Sequence, residues 1–188
     1  MRTELVWCSL AVLCAAAAAQ EPLKAVSVRA RDLGVPFEGT PGPHNAITDV
    51  GGVLVGHMTL IEGEGDHAVR TGVTAILPNA TLRPYEAATF VLNGDAELSG
   101  AIFAEEFGYL RSPIMLTGTA SNGTVYTAVI KWSVARFPRQ NPVFIPVVAD
   151  TWDGNLSDYL AFPLREEHVF AALEKPCVVF NRRSRERL

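Results

Sequence analysis

Residues 31–59 read RDLGVPFEGTPGPHNAITDVGGVLVGHMT, and this stretch decides the fold. It holds six glycines and three prolines, a density that loops use where the backbone must adopt special dihedral angles. After Pro43 the pattern changes to two short apolar runs, residues 46–47 and 53–55, separated by the Gly51–Gly52 pair. The stretch therefore predicts a loop, a turn and then a strand that enters an α/β core.

Strand and helix patterns alternate on both sides of this stretch. Apolar or β-branched runs predict strands at residues 25–30, 53–60, 70–77, 89–92, 112–116 and 142–148. Helical spacing of apolar residues predicts helices at residues 98–109, 124–137 and 166–173. A polar turn is predicted at residues 150–158. This alternation favours a single α/β or α+β domain.

The charge of the chain is unevenly distributed. Residues 20–174 form one predicted domain, and they carry 10 Lys and Arg against 18 Asp and Glu. An acidic body argues against nucleic-acid binding and suits a small cationic or neutral ligand. Residues 175–188 carry five basic residues against one acidic residue, which predicts a divergent, disordered or aberrant basic tail.

The N-terminus resembles a secretory signal. Arg2 precedes an apolar run at residues 5–13, and small residues follow up to a predicted cleavage before Gln20. The signal peptide is therefore residues 1–19, and the protein is expected to be secreted or periplasmic. The apolar run is too short for a transmembrane helix, so no stable membrane span is expected after cleavage. A lipid anchor on Cys14 and an uncleaved anchor are the alternatives.

Several short motifs occur in a fixed order along the chain. They are Arg-Asp-Leu-Gly at residues 31–34, Gly-Thr-Pro-Gly-Pro at 39–43, Asn-Ala-Ile-Thr-Asp-Val at 45–50, Val-Gly-His at 55–57 and Arg-Thr-Gly-Val-Thr-Ala-Ile-Leu-Pro at 70–78. Together they resemble the DmpA-type aminopeptidases, the P1 or S58 peptidase family, from about residue 31 to residue 173. The resemblance implies an αββα sandwich similar to the Ntn hydrolases, incomplete at the C-terminus. It also implies hydrolysis of N-terminal amino-acid amides or peptides.

The resemblance implies a particular nucleophile as well. In the family, a precursor cleaves itself before a Ser in a glycine-rich motif, and that Ser becomes the N-terminal nucleophile of a β-chain. Ser184 lies between Arg183 and Arg185 and does not match the motif. We therefore expect an α-chain portion that contains no nucleophile and is inactive alone, with a missing β-chain or a homo-oligomer as its partner. The alternative is a non-catalytic binding or interaction protein that retains the peptidase scaffold.

The same resemblance implies four site residues. Ser157 stands where the family has an oxyanion-hole Asn, and Tyr109 stands at a position that can line the active site. Asn93 and Glu97 match a family turn that binds the free amine of a small peptide or amino-acid amide. The alternatives are structural: a turn Asn, a solvated Glu and a half-buried Tyr.

Metal and cofactor sites are not predicted. The four His residues have no HxH or HExxH spacing, and Cys177 is the only Cys after the signal peptide. His57 is interpreted as a core or turn residue in preference to a catalytic one. Gly118 replaces an Asn that the family has in the loop at residues 117–123.

Overall fold

The computed structural model describes residues 28–137 and 145–176. By its internal contacts the chain divides into two units, residues 1–40 and residues 41–188, which are described separately. The predicted signal peptide, Cys177 and Ser184 lie outside the described residues. The division into a signal, a domain and a tail stays a prediction.

The described part of the first unit is a short turn. Ala30–Leu33 forms a 3-10 helix that ends at Gly34, whose φ of 77° places it in the left-handed region. Arg31 donates to the Phe37 carbonyl oxygen and stacks on the Phe37 ring. Residues 25–27 of the strand predicted at 25–30 lie outside the described residues, and the prediction is wrong at residues 28–30, none of which lies in a strand.

The second unit contains a mixed sheet of four strands, which in spatial order are residues 54–62, 69–77, 114–118 and 147–151. These strands are β1 (Leu54–Glu62), β2 (Val69–Leu77), β5 (Ile114–Gly118) and β6 (Val147–Thr151). The first three pair antiparallel, and β5 pairs parallel with β6. The strands β3 (Tyr85–Glu86) and β4 (Tyr109–Leu110) form a separate antiparallel pair.

Three α-helices accompany the strands in the described part of the chain. They are α1 (Ala101–Phe107), α2 (Asn122–Arg136) and α3 (Glu166–Glu174). The helices α2 and α3 cover one face of the four-stranded sheet and bury a core that includes Val73, Met115, Val129, Val148 and Val169. This burial follows from the apolar stripe of each helix and supplies the main stabilisation of the unit.

The opposite face of the sheet is only partly covered. Val147 and Ile114 pack there with Ala104 of α1 and Leu110 of β4 in a second, smaller cluster. Elsewhere on this face Leu116 is 42% exposed. Apolar surface therefore remains accessible on this side of the sheet.

His57 lies on the same face, within β1. Its Nδ1 atom is 2.6 Å from the Thr74 hydroxyl oxygen of β2. His57 is exposed. It is thus an exposed strand residue, and its interpretation as a core or turn residue was wrong.

The loop before β1 has its own hydrogen-bonded turn. The Asp49 carboxylate accepts the main-chain N–H groups of His44 at 2.9 Å and Ala46 at 3.1 Å. Desolvation raises the pKa of Asp49, but these hydrogen bonds, with His44 nearby, outweigh it and hold the pKa below its usual value. The predicted loop, turn and strand are confirmed by this turn and by the start of β1 at Leu54.

Most element predictions in the second unit are confirmed with small shifts of their ends, and three need correction. The helix predicted at 98–109 is shorter, since Gly100 and Gly108 flank α1 with φ of 79° and 70°. The strand predicted at 89–92 is absent, and Phe90 there is 89% exposed. Residues 142–144 of the strand predicted at 142–148 lie outside the described residues, and residues 145–146 are not in a strand. The strand β6 begins at Val147 and ends at Thr151, so Asp150 lies on β6 and not in a polar turn. No helix in residues 28–137 or 145–176 is long and apolar enough to span a bilayer.

Candidate functional site

The candidate site lies at the carboxyl edge of the parallel pair β5 and β6. The strand β5 ends at Gly118, β6 ends at Thr151, and α2 begins close by at Asn122. The carboxyl ends of parallel strands are where open α/β sheets bind ligands. The first turn of a helix adds unpaired N–H groups and a partial positive charge.

Asp150 is the central residue of this site. Its side chain is held at Oδ1 by two donors, the Asn122 Nδ2 group at 2.9 Å and the Glu97 main-chain N–H at 3.1 Å. The Asp150 main-chain N–H in turn donates to the Glu97 carbonyl oxygen at 3.3 Å. Asp150 is only 8% exposed, yet its Oδ2 atom is buried without a hydrogen-bond partner among the described residues. One oxygen of a buried carboxylate is therefore left unpaired.

A second carboxylate lies at the same edge. Asp153 faces Gly118 so closely that a Cβ atom on Gly118 would stand 2.7 Å from Asp153 Oδ2. The Asp153 Oδ1 atom is also buried without a partner in the part of the chain that the structure describes. Asp153 helps to line a narrow crevice with Ser121 and Tyr159. A side chain at position 118 would therefore displace the Asp153 carboxylate from the end of β5.

Neither carboxylate has a cationic partner within the described ranges. The ion pairs there are His67 with Asp158 at 3.5 Å and Lys131 with Glu166 at 2.5 Å. An unpaired buried polar atom costs about 1–3 kcal/mol, and more when the group is charged. A ligand that brings positive charge and N–H donors would remove that cost. No group of three His, Cys, Asp or Glu residues in the described ranges is arranged to hold a metal ion.

Glu97 is the predicted site residue that the structure brings to this edge. Its main chain exchanges two hydrogen bonds with Asp150, while its own side chain is exposed. Asn93, in the same turn, is exposed, and its Oδ1 accepts the Asp95 N–H at 3.0 Å. That bond is typical of a turn Asn. The predicted turn therefore contributes to the site through its backbone.

Ser157 and Tyr109 make their contacts in other places. The Ser157 hydroxyl is buried and accepts the Arg70 main-chain N–H at 3.1 Å, which ties the loop after β6 to β2. Tyr109 packs its ring against Phe103 and Phe107 at the end of α1. The roles predicted for Ser157 and Tyr109 in catalysis stay predictions.

Three other serines have hydroxyl groups that donate to main-chain carbonyl oxygens. Ser99 donates to Pro146, Ser112 to Pro113, and Ser133 to Val129 in its own helix. A nucleophilic Ser instead transfers its proton to a neighbouring base. These three hydroxyls therefore serve to hold the backbone.

An apolar cavity of about 420 Å³ opens between β3, the start of α1 and β6. Leu98, Leu110, Ile114 and Val147 are among its lining residues. The volume is in the range of small-molecule pockets. It lies on the sheet face opposite to α2, so it is separate from the Asp150 site.

One feature of the sequence points to Asp150. An acidic residue that follows a buried β-branched run stands at the end of a strand, where ligands commonly bind. Asn122 gave no such signal, because its contact with Asp150 joins residues 28 positions apart.

Comparisons with known proteins give consistent results. Residues 45–182 match the model of peptidase family S58. A β-peptidyl aminopeptidase BapA from Sphingosinicella xenopeptidilytica is 46% identical over 155 residues, which cover 78% of this chain and 39% of that protein. The BapA of Sphingosinicella microcystinivorans is 44% identical over 170 residues, which cover 87% of this chain and 41% of that protein. The chain thus spans about two fifths of the length of the curated relatives that it matches.

Two solved structures are similar in fold. The L-aminopeptidase D-Ala-esterase/amidase from Ochrobactrum anthropi, a serine aminopeptidase with a variant of the Ntn hydrolase fold, superposes with a TM-score of 0.74 at 39% identity. That match covers 80% of this chain and 45% of the other. A Burkholderia sp. β-aminopeptidase gives a TM-score of 0.75 at 40% identity, over 81% of this chain and 44% of the other.

Proposed function

The chain belongs to peptidase family S58, and on that premise we propose that it is the amine-binding part of a serine-type aminopeptidase. Asp150 binds the protonated amino group at the N-terminus of a small peptide or amino-acid amide. An aminopeptidase must distinguish a free N-terminus from an internal peptide bond, and only the free N-terminus carries a positive charge at neutral pH. A buried carboxylate discriminates between the two, because it binds the charged amino group more strongly than a neutral peptide N–H.

The observation that carries this proposal is the unpaired Oδ2 atom of Asp150. Oδ1 already has two donors, so the carboxylate is fixed in place before a ligand arrives. An ammonium group that donates to Oδ2 completes the hydrogen bonding of this buried carboxylate and neutralises its charge. The acidic body of the chain attracts cationic substrates to the site.

The nucleophile of the proposed enzyme is a Ser outside the described residues, freed by self-processing as in the family mechanism. The support is the bonding of Ser99, Ser112 and Ser133 to main-chain carbonyl oxygens. We also propose export to the periplasm or the medium, on the signal-like pattern of residues 1–19. The second candidate function is an amino-acid-amide binding protein without turnover, since the Asp150 site needs no nucleophile to bind a ligand.

Calorimetric titration tests the amine site. The ligands are L-leucinamide and its deaminated analogue 4-methylpentanamide, at about pH 6.5, where the α-amino group is protonated. The wild-type chain is expected to bind leucinamide more tightly, and Asp150→Asn is expected to abolish the preference. Asp95→Asn is the matched control, because it removes an equal charge from the exposed neighbouring turn. Equal binding of both ligands by the wild-type chain would refute the amine site.

A turnover assay separates the two candidate functions. The chain alone is expected to leave aminoacyl p-nitroanilides intact, because the hydroxyls of Ser99, Ser112 and Ser133 donate to main-chain carbonyl oxygens. Turnover that survives Ser184→Ala would contradict this account of the nucleophile. Turnover that appears when the chain is co-expressed with the C-terminal portion of a BapA relative would favour the enzyme. Ligand binding with no turnover in that complex would favour the binding protein.

A further inference from the structure

Asn122 uses its side chain in an uncommon way for the first residue of a helix. Polar residues at the start of a helix often cap its unpaired N–H groups. The start of α2 has no side-chain cap, and the Asn122 amide reaches across to β6, where its Nδ2 donates to Asp150 Oδ1. The amide therefore stabilises the carboxylate and not its own helix.

This contact determines which oxygen of Asp150 is free. A carboxylate can rotate about its Cβ–Cγ bond and exchange its two oxygens. Asn122 and the Glu97 main-chain N–H both bind Oδ1, from two different elements, and so they fix the rotation. Oδ2 then remains without a hydrogen-bond partner among the described residues.

We infer that Asn122 is a positioning residue that orients Asp150 for recognition of a ligand ammonium group. This inference rests on the proposed function. When Asn122 loses its amide, Oδ1 keeps one donor, the carboxylate is free to rotate, and its oxygens seek new partners. The ammonium group of a ligand then meets a mobile carboxylate in place of a fixed one. Ligands without an amino group do not use this contact and are unaffected.

The test measures amine preference, defined as the ratio of the affinities for L-leucinamide and for 4-methylpentanamide. Asn122→Ala is expected to lower this ratio about tenfold, which corresponds to the loss of one charge-assisted hydrogen bond. Asn122→Ser retains a short donor and is expected to recover part of the ratio. Thr127→Ala, at an exposed position of the same helix, is the control and is expected to leave the ratio unchanged.

The outcomes separate this inference from the proposed function. If the wild-type chain shows no amine preference, both are wrong. If Asp150→Asn abolishes the preference while Asn122→Ala retains it, Asp150 binds the amine and the positioning role of Asn122 is wrong. If Asn122→Ala lowers the affinity for both ligands equally, the role of Asn122 is purely structural and the inference is wrong. If thermal unfolding shows that Asn122→Ala does not fold, the amine preference of Asn122→Ser decides: a ratio equal to that of the wild-type chain would overturn the inference.

Discussion

Gly56 of β1 lies directly against the main chain of Ala172 in α3. A Cβ atom built on Gly56 would overlap the Ala172 carbonyl oxygen. This contact joins β1 to the last helix of the described fold. Glycine is needed at position 56 because the backbones of strand and helix approach too closely for any side chain.

Gly56→Ala is expected to destabilise the protein by about 3 kcal/mol or more, because α3 must move away from the sheet. Urea unfolding followed by circular dichroism measures the change. Gly51→Ala is the matched control, since a Cβ atom there has no neighbour within 4 Å. Equal effects of the two substitutions would show that α3 does not depend on this approach.

Ser157→Ala tests whether Ser157 is structural or catalytic. The substitution leaves the partly buried Arg70 N–H without this acceptor, which is expected to cost about 1 kcal/mol of unfolding free energy. Leucinamide binding is expected to stay unchanged. Ser133→Ala is the control, because the Val129 carbonyl that Ser133 contacts lies within α2 and keeps its helical environment. Unchanged stability together with lost turnover in a complemented enzyme would favour the oxyanion role instead.

Local patterns in the sequence were sufficient for the family and for most of the fold. The motifs between residues 31 and 78 predicted the DmpA-type family, which is confirmed by the S58 match, and the Ntn-type fold is confirmed by the solved neighbours. The predicted strands at residues 53–60 and 70–77 are confirmed as β1 and β2. They could be predicted because β-branched runs that are buried on one face have a clear period.

The site was harder to predict because its contacts are distant in sequence. Glu97 and Asp150 are 53 positions apart, and Arg70 and Ser157 are 87 positions apart. Periodicity reports only local structure, so it gave no information on which backbone would meet Asp150. Local pattern also gave a wrong prediction at Phe90. The apolar run at residues 89–92 favoured a strand, but these residues form no strand and Phe90 is exposed.

The exposed face of the four-stranded sheet is expected to make the isolated chain associate. Ile61 and Leu116 lie on this face and are 62% and 42% exposed. Apolar sheet surface of this kind promotes association in water. Leu116→Lys is expected to reduce concentration-dependent association in analytical ultracentrifugation. Val134→Lys, at a similarly exposed position on α2, is the control. Monomeric wild-type protein at all concentrations would contradict this prediction.

Tyr85→Phe is expected to lower the free energy of unfolding by an amount that depends on pH. The Tyr85 hydroxyl donates to the Ser112 carbonyl oxygen at 2.7 Å, and burial raises the pKa of Tyr85 to about 12. The phenol of the unfolded chain has a pKa of about 10. The stabilisation from Tyr85 is therefore complete below about pH 10 and is lost as the pH rises towards 12, because only the unfolded chain ionises in that window.

At pH 8 the substitution is expected to cost about 1 kcal/mol of unfolding free energy, and the difference in stability between the wild-type protein and Tyr85→Phe should narrow above pH 10. Urea midpoints of both proteins at pH 8 and pH 11 measure this, with Tyr126→Phe as the comparison for loss of a phenol elsewhere. A difference that stays constant with pH would mean that Tyr85 is not held in its neutral form by burial.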